Sequence, residues 1–203
     1  KNAIVAQSGG PTTAINASLA GVIKGCLESN EIDVLYGARN GVEGLMDERL
    51  VNLTEIFENN EENLKVLKGT PSMYLGSCRR KLKDINRDSS EYDNIVEIFR
   101  KYNIRYFFYI GGNDSMDTVG KMSMYVKKHQ MDVKVIGIPK TIDNDLVVTD
   151  HTPGFGSAAR YVAASILEMA HDTYIYNTRS VLIAEIMGRD AGWLTASSVL
   201  ARN

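Results

Sequence analysis

Two near-continuous apolar runs constrain the fold of this chain most: Tyr106-Phe107-Phe108-Tyr109-Ile110 and Val133-Lys134-Val135-Ile136-Gly137-Ile138. Runs of this length read as strands covered on both faces, the condition of a parallel sheet. A helix from about Ser115 to His129 separates them. Another precedes the first run: Ser90 with Asp93 resembles a helix start, and Ile95, Ile98, Phe99 and Tyr102 form one apolar stripe. The same alternation opens the chain. Ala3-Ile4-Val5-Ala6 reads as a buried strand, and Ile15, Leu19, Val22, Ile23 and Cys26 then recur with a helical period. Asp33 to Gly37 is a second strand, followed by a glycine-punctuated turn at Gly41 and Gly44. Between residues 45 and 90 only two pieces are legible, a solvated helix end at Glu58 to Glu62 and a loop at Gly69-Thr70-Pro71-Ser72. Beyond the second run, Gly154-Phe155-Gly156-Ser157 opens a helix to about Ala170. Ser180 to Ile186 reads as a further strand, and a last helix begins after Gly192. Strand–helix alternation of this kind predicts an α/β protein with a doubly wound parallel sheet.

Length and composition narrow the function. The 203 residues suffice for one large domain, or one plus part of another. A net charge of −2, with 24% charged and 44% apolar residues, argues against a general nucleic-acid or membrane surface. Cys26 and Cys78 make no disulfide framework, and His129, His151 and His171 show no metal-ligand spacing, so a reducing cytosol is the expected compartment. The last helix stops as soon as it starts, as in a fragment of a longer protein.

Chemistry concentrates where the apolar runs end, the edge of an open α/β sheet at which ligands bind. Ser8-Gly9-Gly10-Pro11-Thr12-Thr13 lies between a strand and a helix, where free N–H groups and the helix dipole favour an anion. It matches neither the dinucleotide pattern nor the P-loop. Gly111-Gly112-Asn113-Asp114-Ser115 follows the first run; Asn113 or Asp114 could cap the next helix. A carboxylate there repels a bound anion unless a cation stands near, and Lys140, Arg79 or magnesium could supply one. Pro139-Lys140-Thr141-Ile142-Asp143-Asn144-Asp145 follows the second run. If extended, it puts Thr141, Asp143 and Asp145 on one face, and paired carboxylates there call for a metal, a basic neighbour or a shared proton. Leu75-Gly76-Ser77-Cys78-Arg79-Arg80 brings two guanidinium groups suited to phosphate oxygens, although a solvated basic turn would look the same. The combination points to phosphoryl transfer.

In order and spacing, these segments resemble the phosphofructokinase family. The resemblance rests on Ser8-Gly9-Gly10, Asn16-Ala17, Leu75-Gly76-Ser77 with Arg79, Gly111-Gly112, Thr141-Ile142-Asp143-Asn144-Asp145 and Met187-Gly188-Arg189, and runs the length of the chain. It implies transfer of a phosphoryl group to the 1-hydroxyl of fructose 6-phosphate. By the same resemblance Asp143 is the general base, and Arg79 clamps the transferred group. Gly10 touches the donor through its backbone, and Thr141, Ile142 and Asp145 neighbour substrate and metal. Met187, Gly188 and Arg189 contact the sugar phosphate, and Arg179 reaches a neighbouring subunit's site, so a homo-oligomer, dimer or tetramer, is implied. Residues 1–153 then form the donor-binding domain, and 154–203 begin an incomplete sugar-phosphate domain of α/β type that is inactive as a fragment.

The donor follows from two positions. Asp114 and Lys140 stand where ATP-using members carry glycine and pyrophosphate-using members carry Asp and Lys. An acidic side chain at 114 occupies and repels the place of the α-phosphate of ATP, whereas Lys140 adds positive charge toward a small, highly charged donor. Pyrophosphate is therefore the expected donor, with Mg2+ as cofactor and Asn113 in the metal position, where the family usually has Asp. An ATP-dependent enzyme of the same family and a non-catalytic regulatory subunit are the alternatives.

Overall fold

The computed structural model describes residues 1–201. Its elements follow in the order β1 (Asn2–Gln7), α1 (Ile15–Leu27), β2 (Leu35–Ala38), α2 (Gly41–Met46), β3 (Leu50–Asn52), α3 (Leu53–Phe57) and α4 (Glu61–Gly69). Then come α5 (Ser90–Lys101), β4 (Ile104–Gly111), α6 (Asn113–Lys128), β5 (Lys134–Pro139), α7 (Phe155–Tyr174), α8 (Trp193–Ser197) and a 3-10 turn (Ser198–Leu200). The chain divides into two units, Lys1–Lys140 and Thr141–Asn203. The loop after Lys140 thus groups with the second unit, ahead of the expected boundary after residue 153.

In the first unit the strands lie in the order β3-β2-β1-β4-β5. β1 is parallel to β2 and β4, β4 is parallel to β5, and only the edge strand β3 runs antiparallel to its neighbour among the described residues. Two-residue alternation sorts the side chains into two cores. Ile4, Ala6, Phe107 and Tyr109 pack with Val42 and Leu45 of α2, Ile95 and Phe99 of α5 and Met122 and Tyr125 of α6. Ala3, Val5 and Ile110 pack on the opposite face with Ile15, Leu19 and Ile23 of α1, Leu53 and Phe57 of α3 and Leu67 of α4. Helices on both faces make this the expected doubly wound sheet. From β1 the chain passes first to β2 on one side and later to β4 on the other, so the strand order reverses between β1 and β4. The loops after these two strands therefore part and leave a crevice.

Local readings differ in several places. The glycine turn is helix α2, entered through Gly41 at φ +65, and a Cβ on Gly44 would overlap the Arg39 carbonyl. Residues 53–69 form two helices, capped by Asn52 accepting from Glu55 N–H at 3.3 Å and by Asn60 accepting from Asn63 N–H at 3.1 Å. Glu58 to Glu62 therefore straddles one helix end and the next helix start. The cap position of α5 is Ser89, whose hydroxyl donates to Asp93 at 2.9 Å.

The second unit holds α7, α8 and the 3-10 turn, and no strand among its described residues. Ser180 to Ile186, expected as a strand, is irregular, with Val181 88% and Ile183 89% exposed. A strand exists only against a partner that takes up its N–H and C=O groups. This run has none among the described residues, so its apolar composition alone does not order it. We expect Phe107→Ala, which empties a fully buried aromatic site, to cost about 3–5 kcal/mol in urea unfolding at unchanged m-value. Val181→Ser in the same chain should stay within about 0.5 kcal/mol.

Candidate functional site

The crevice at the strand-order reversal is rimmed by three loops of the first unit. Ser8 continues β1 by donating its N–H to the Ile110 carbonyl at 2.9 Å, and its hydroxyl meets that of Ser115 at 2.5 Å. This closeness requires glycine at 111: a Cβ there would stand 2.5 Å from the Ser115 Cβ and 2.9 Å from the Ser8 Oγ. After β5, Lys140 donates its N–H to the Gly111 carbonyl at 2.9 Å. Its ammonium lies 3.3 Å from where a Cβ on Gly9 would sit and 3.6 Å from the same point on Gly112. Lys140 thus carries positive charge across the mouth of the crevice. In front of Gly10 the space is open, with nothing within 4 Å of a notional Cβ.

Two helices start here, and neither has a side-chain cap. The cap residue of α1 is Ala14, with no acidic side chain in the first turn, and the cap residue of α6 is Gly112. Both leave first-turn N–H groups pointing at the crevice edge, which favours an anion. The Thr12 hydroxyl, enclosed beside α1, also lacks a hydrogen-bond partner among the described residues. Asn113 and Asp114 are not caps: they occupy the first turn of α6, exposed. The Asp114 carboxylate is held by Lys81, Nζ to Oδ1 at 2.9 Å.

The wall opposite Gly9 is the segment from Leu75 to Lys83, and amide side chains hold it. Gln7, fully buried, accepts from Leu75 N–H at 3.0 Å and donates to the Ile15 carbonyl and to Asn16 Oδ1, each at 3.2 Å. Asn16 in turn accepts from Tyr74 N–H at 3.0 Å and donates to the Thr70 carbonyl at 2.9 Å. Asn40, at φ +60, donates its backbone N–H to Leu75 C=O at 2.8 Å and its side-chain amide to Ser77 C=O at 3.3 Å, and its Oδ1 accepts from Arg49 at 3.1 Å. Gly9 donates to the Cys78 carbonyl at 3.3 Å, and the Ser77 hydroxyl donates to the Gly9 carbonyl at 2.6 Å.

Of the basic residues on this wall, Arg80 reaches Glu91, Lys81 reaches Asp114 and Lys83 reaches Asp88. Arg79, exposed, has no carboxylate partner among the described residues and is the one available to an anion. Burial opposes the charged form of Glu91, but the Lys83 N–H at 2.9 Å and the Arg80 guanidinium outweigh it and hold its carboxyl below the usual range. Cys78 is the packed small residue that the sequence favours over a reactive thiol, buried with its sulfur 3.9 Å from the Tyr109 hydroxyl.

In the second unit, the Thr141–Asp145 loop is bent and not extended. The Thr141 hydroxyl accepts from Asp143 N–H at 2.9 Å, and Asn144, at φ +60, turns its amide to Thr152 N–H at 2.8 Å and to the Asp150 carbonyl at 3.2 Å. The expected alternation of faces therefore does not apply. Asp143 Oδ1 and Asp145 Oδ1 are nevertheless both enclosed and without a hydrogen-bond partner among the described residues. Such orphaned carboxylate oxygens suit a cation or a proton-donating ligand. No cluster of three or more His, Cys, Asp or Glu side chains is present among the described residues. A magnesium ion fits only in the manner usual for it, held by one or two carboxylates and completed by phosphate oxygens and water. Arg179, Met187, Gly188 and Arg189 lie in the irregular part of this unit, with Gly188 at φ +125 and Arg189 3.8 Å from Asp190.

Sequence reasoning did not single out Gln7, Asn40, Lys81 or the Ser8–Ser115 pair. A polar residue closing the apolar run Ala3 to Ala6, and an Asn-Gly pair at 40–41, were the available signals.

A doubly wound sheet with glycines, hydroxyls and a lysine around its switch point defines an α/β protein whose strand ends gather groups that favour an anion. The Phosphofructokinase family profile matches residues 2–203, and the chain belongs to this family. It is 43% identical over 203 residues to the pyrophosphate–fructose 6-phosphate 1-phosphotransferase of Halomonas elongata, covering 98% of this chain and 48% of that protein. The crystal structure of the pyrophosphate-dependent phosphofructokinase of Nitrosospira multiformis superimposes with a TM-score of 0.82 at 42% identity, covering 100% of this chain and 50% of that one. The ATP-dependent 6-phosphofructokinase of Actinobacillus pleuropneumoniae is 34% identical over 204 residues, covering 99% of this chain and 56% of that protein. The chain thus spans about half the length of the relatives named for pyrophosphate.

Glu91 anchors the basic wall to α5, which gives a test of that wall. Because its carboxyl titrates lower in the folded state, Glu91 contributes stability that is complete above the ordinary value of 4.5 and is lost as pH falls through the folded value. Glu91→Gln should therefore destabilise the chain at pH 7, by about 1–3 kcal/mol in chemical denaturation. The gap to wild type should close as the pH is lowered past 4.5.

Proposed function

We propose that this chain supplies the donor site and the general base for phosphoryl transfer from pyrophosphate to the 1-hydroxyl of fructose 6-phosphate, in a polypeptide of its relatives' length. One observation carries the choice of donor: the Lys140 ammonium lies over Gly9 and Gly112, while Asp114 stands in the first turn of α6 beside the same crevice. A compact anion with several charges gains from the lysine and from the uncapped helix starts. A nucleotide must extend past Asp114, whose side chain, tied to Lys81, stands in the way of its α-phosphate. Greater similarity to the relatives named for pyrophosphate than to the one named for ATP supports the same reading.

The residues then take these roles. Gly10 offers its backbone to the donor, and Arg79 and Lys140 neutralise the transferred and leaving phosphates as charge shifts onto the leaving oxygen. Asp143 accepts the proton of the attacking hydroxyl at its enclosed Oδ1, and the Thr141 hydroxyl fixes the Asp143 backbone. Asp145, with Ile142 beside it, borders the sugar. Met187, Gly188 and Arg189 contact the sugar phosphate, and Arg179 reaches that of a neighbouring subunit in a homo-oligomer. Asn113 takes the metal position through its side-chain oxygen, and Mg2+, when bound, would neutralise phosphate oxygens. Cys26 and Cys78 are free and buried, which suits the reducing cytosol in which we place the protein. No helix of the described residues is long and apolar enough to cross a membrane.

In the full-length polypeptide we expect fructose 1,6-bisphosphate to form with pyrophosphate as sole donor and not with ATP; turnover with ATP alone would reject the charge argument and keep the family. Asp143→Asn should lower kcat by roughly 10²–10⁴-fold with the protein still folded. Asp114→Gly combined with Lys140→Gly should lower kcat/KM for pyrophosphate by on the order of 10²-fold and raise that for ATP. A double variant that still ignores ATP contradicts the role given to Asp114.

A further inference from the structure

The Gln7 and Asn40 side chains make contacts that the fold alone does not require. Gln7 ends a strand whose ladder is already complete, yet its amide reaches three other places: Leu75 N–H, Ile15 C=O and Asn16 Oδ1. Asn40 follows β2; its side-chain amide donates to Ser77 C=O while its Oδ1 accepts from Arg49, and its backbone N–H bonds Leu75 C=O beside them. Both converge on the Leu75–Cys78 segment from the ends of adjacent strands, and Gly9 of the donor loop bonds the same segment twice. Just beyond Cys78 comes Arg79, the basic side chain of this wall without a carboxylate partner among the described residues. Its backbone is therefore registered to the Gly9–Gly10 loop by the buried Gln7 amide and the half-buried Asn40 amide, and no ion pair among the described residues sets its position.

Building on the donor site assigned above, we propose that Gln7 and Asn40 are positioning residues for Arg79. They set the distance between its guanidinium and the glycine loop, and so decide how well the two grip one phosphoryl donor. Both carry out this task without touching the ligand. The cost of losing them lies in geometry: a displacement of about 1 Å in a clamping group is enough for large losses in rate. Gln7→Leu keeps the bulk of the side chain and removes all three hydrogen bonds. Asn40→Gly tolerates the positive φ and removes only the side-chain bonds, so it keeps the test alive if Gln7→Leu does not fold.

The test is a double-mutant cycle in the full-length protein, each variant alone and combined with Arg79→Ala. It is read by kcat and KM for pyrophosphate and by pyrophosphate binding in calorimetry. Each single variant should raise the KM for pyrophosphate and lower kcat/KM by on the order of tenfold, with the KM for fructose 6-phosphate little changed. In the Arg79→Ala background the same change should have no more than about a twofold effect, since the group being positioned is gone. Equal losses in both backgrounds would overturn the inference and leave the amides a purely structural role. A wild type that neither binds nor turns over pyrophosphate would instead overturn the donor assignment, and this inference with it.

Discussion

The pairing of β1 with β4 is the constraint on which the rest depends. It joins Asn2–Gln7 to the strand that enters from a distant part of the sequence, in the register Ala3 to Tyr106 through Gln7 to Ile110. Each strand is covered on both faces, so the register is fixed by two cores at once, and a slip of one residue would exchange them. Because β2 leaves on one side and β4 on the other, the loops after β1 and β4 diverge at the point where their strands are held most firmly. The Ser8 N–H bond to Ile110 and the Ser8–Ser115 hydroxyl contact extend that rigidity one residue into the crevice. A site built on such strand ends is precise without needing a stiff loop of its own.

Electrostatics divides the basic residues into two groups by what they face. Arg80, Lys81 and Lys83 are spent on Glu91, Asp114 and Asp88, and these pairs fasten an irregular segment that has no ladder to hold it. The Lys81–Asp114 and Lys83–Asp88 pairs are largely exposed, and each is worth little in stability. Glu91 is different: its carboxylate is buried and saturated by Arg80 and the Lys83 N–H, so it fixes the segment. Arg79 has no carboxylate partner among the described residues, and it stands near the uncapped helix starts, whose first-turn N–H groups favour an anion.

Much of this was legible in the sequence because near-continuous apolar runs and helical stripes leave an unmistakable pattern, although β5 is only half-buried in the structure. The runs at Ala3–Ala6, 106–110 and 133–138 became strands, and the stripes at Ile15–Cys26 and Ile95–Tyr102 became helices. The elements from 41 to 57 were not legible, since α2, α3 and β3 are each six residues or shorter and no period can develop in them. Ser180 to Ile186 misled for the opposite reason: its composition is that of a buried strand, but composition supplies no partner. Within the site, glycines and acids stood out by type, whereas Gln7 and Asn40 did not, because their partners at Leu75 and Ser77 are far away in sequence. The bend at Thr141–Asp145 was hidden similarly, set by the bonds of Asn144 to residues 150 and 152.

The central claim is that the β1–β4 switch point is a pyrophosphate site, and amide hydrogen exchange tests it without reference to turnover. The exchange of residues 8–16 and 111–116 would be followed with Mg2+ present, on adding pyrophosphate and, separately, ATP. The account predicts slowed exchange in both segments with pyrophosphate and little change with ATP. Unchanged exchange there with pyrophosphate, or protection by ATP alone, would contradict it.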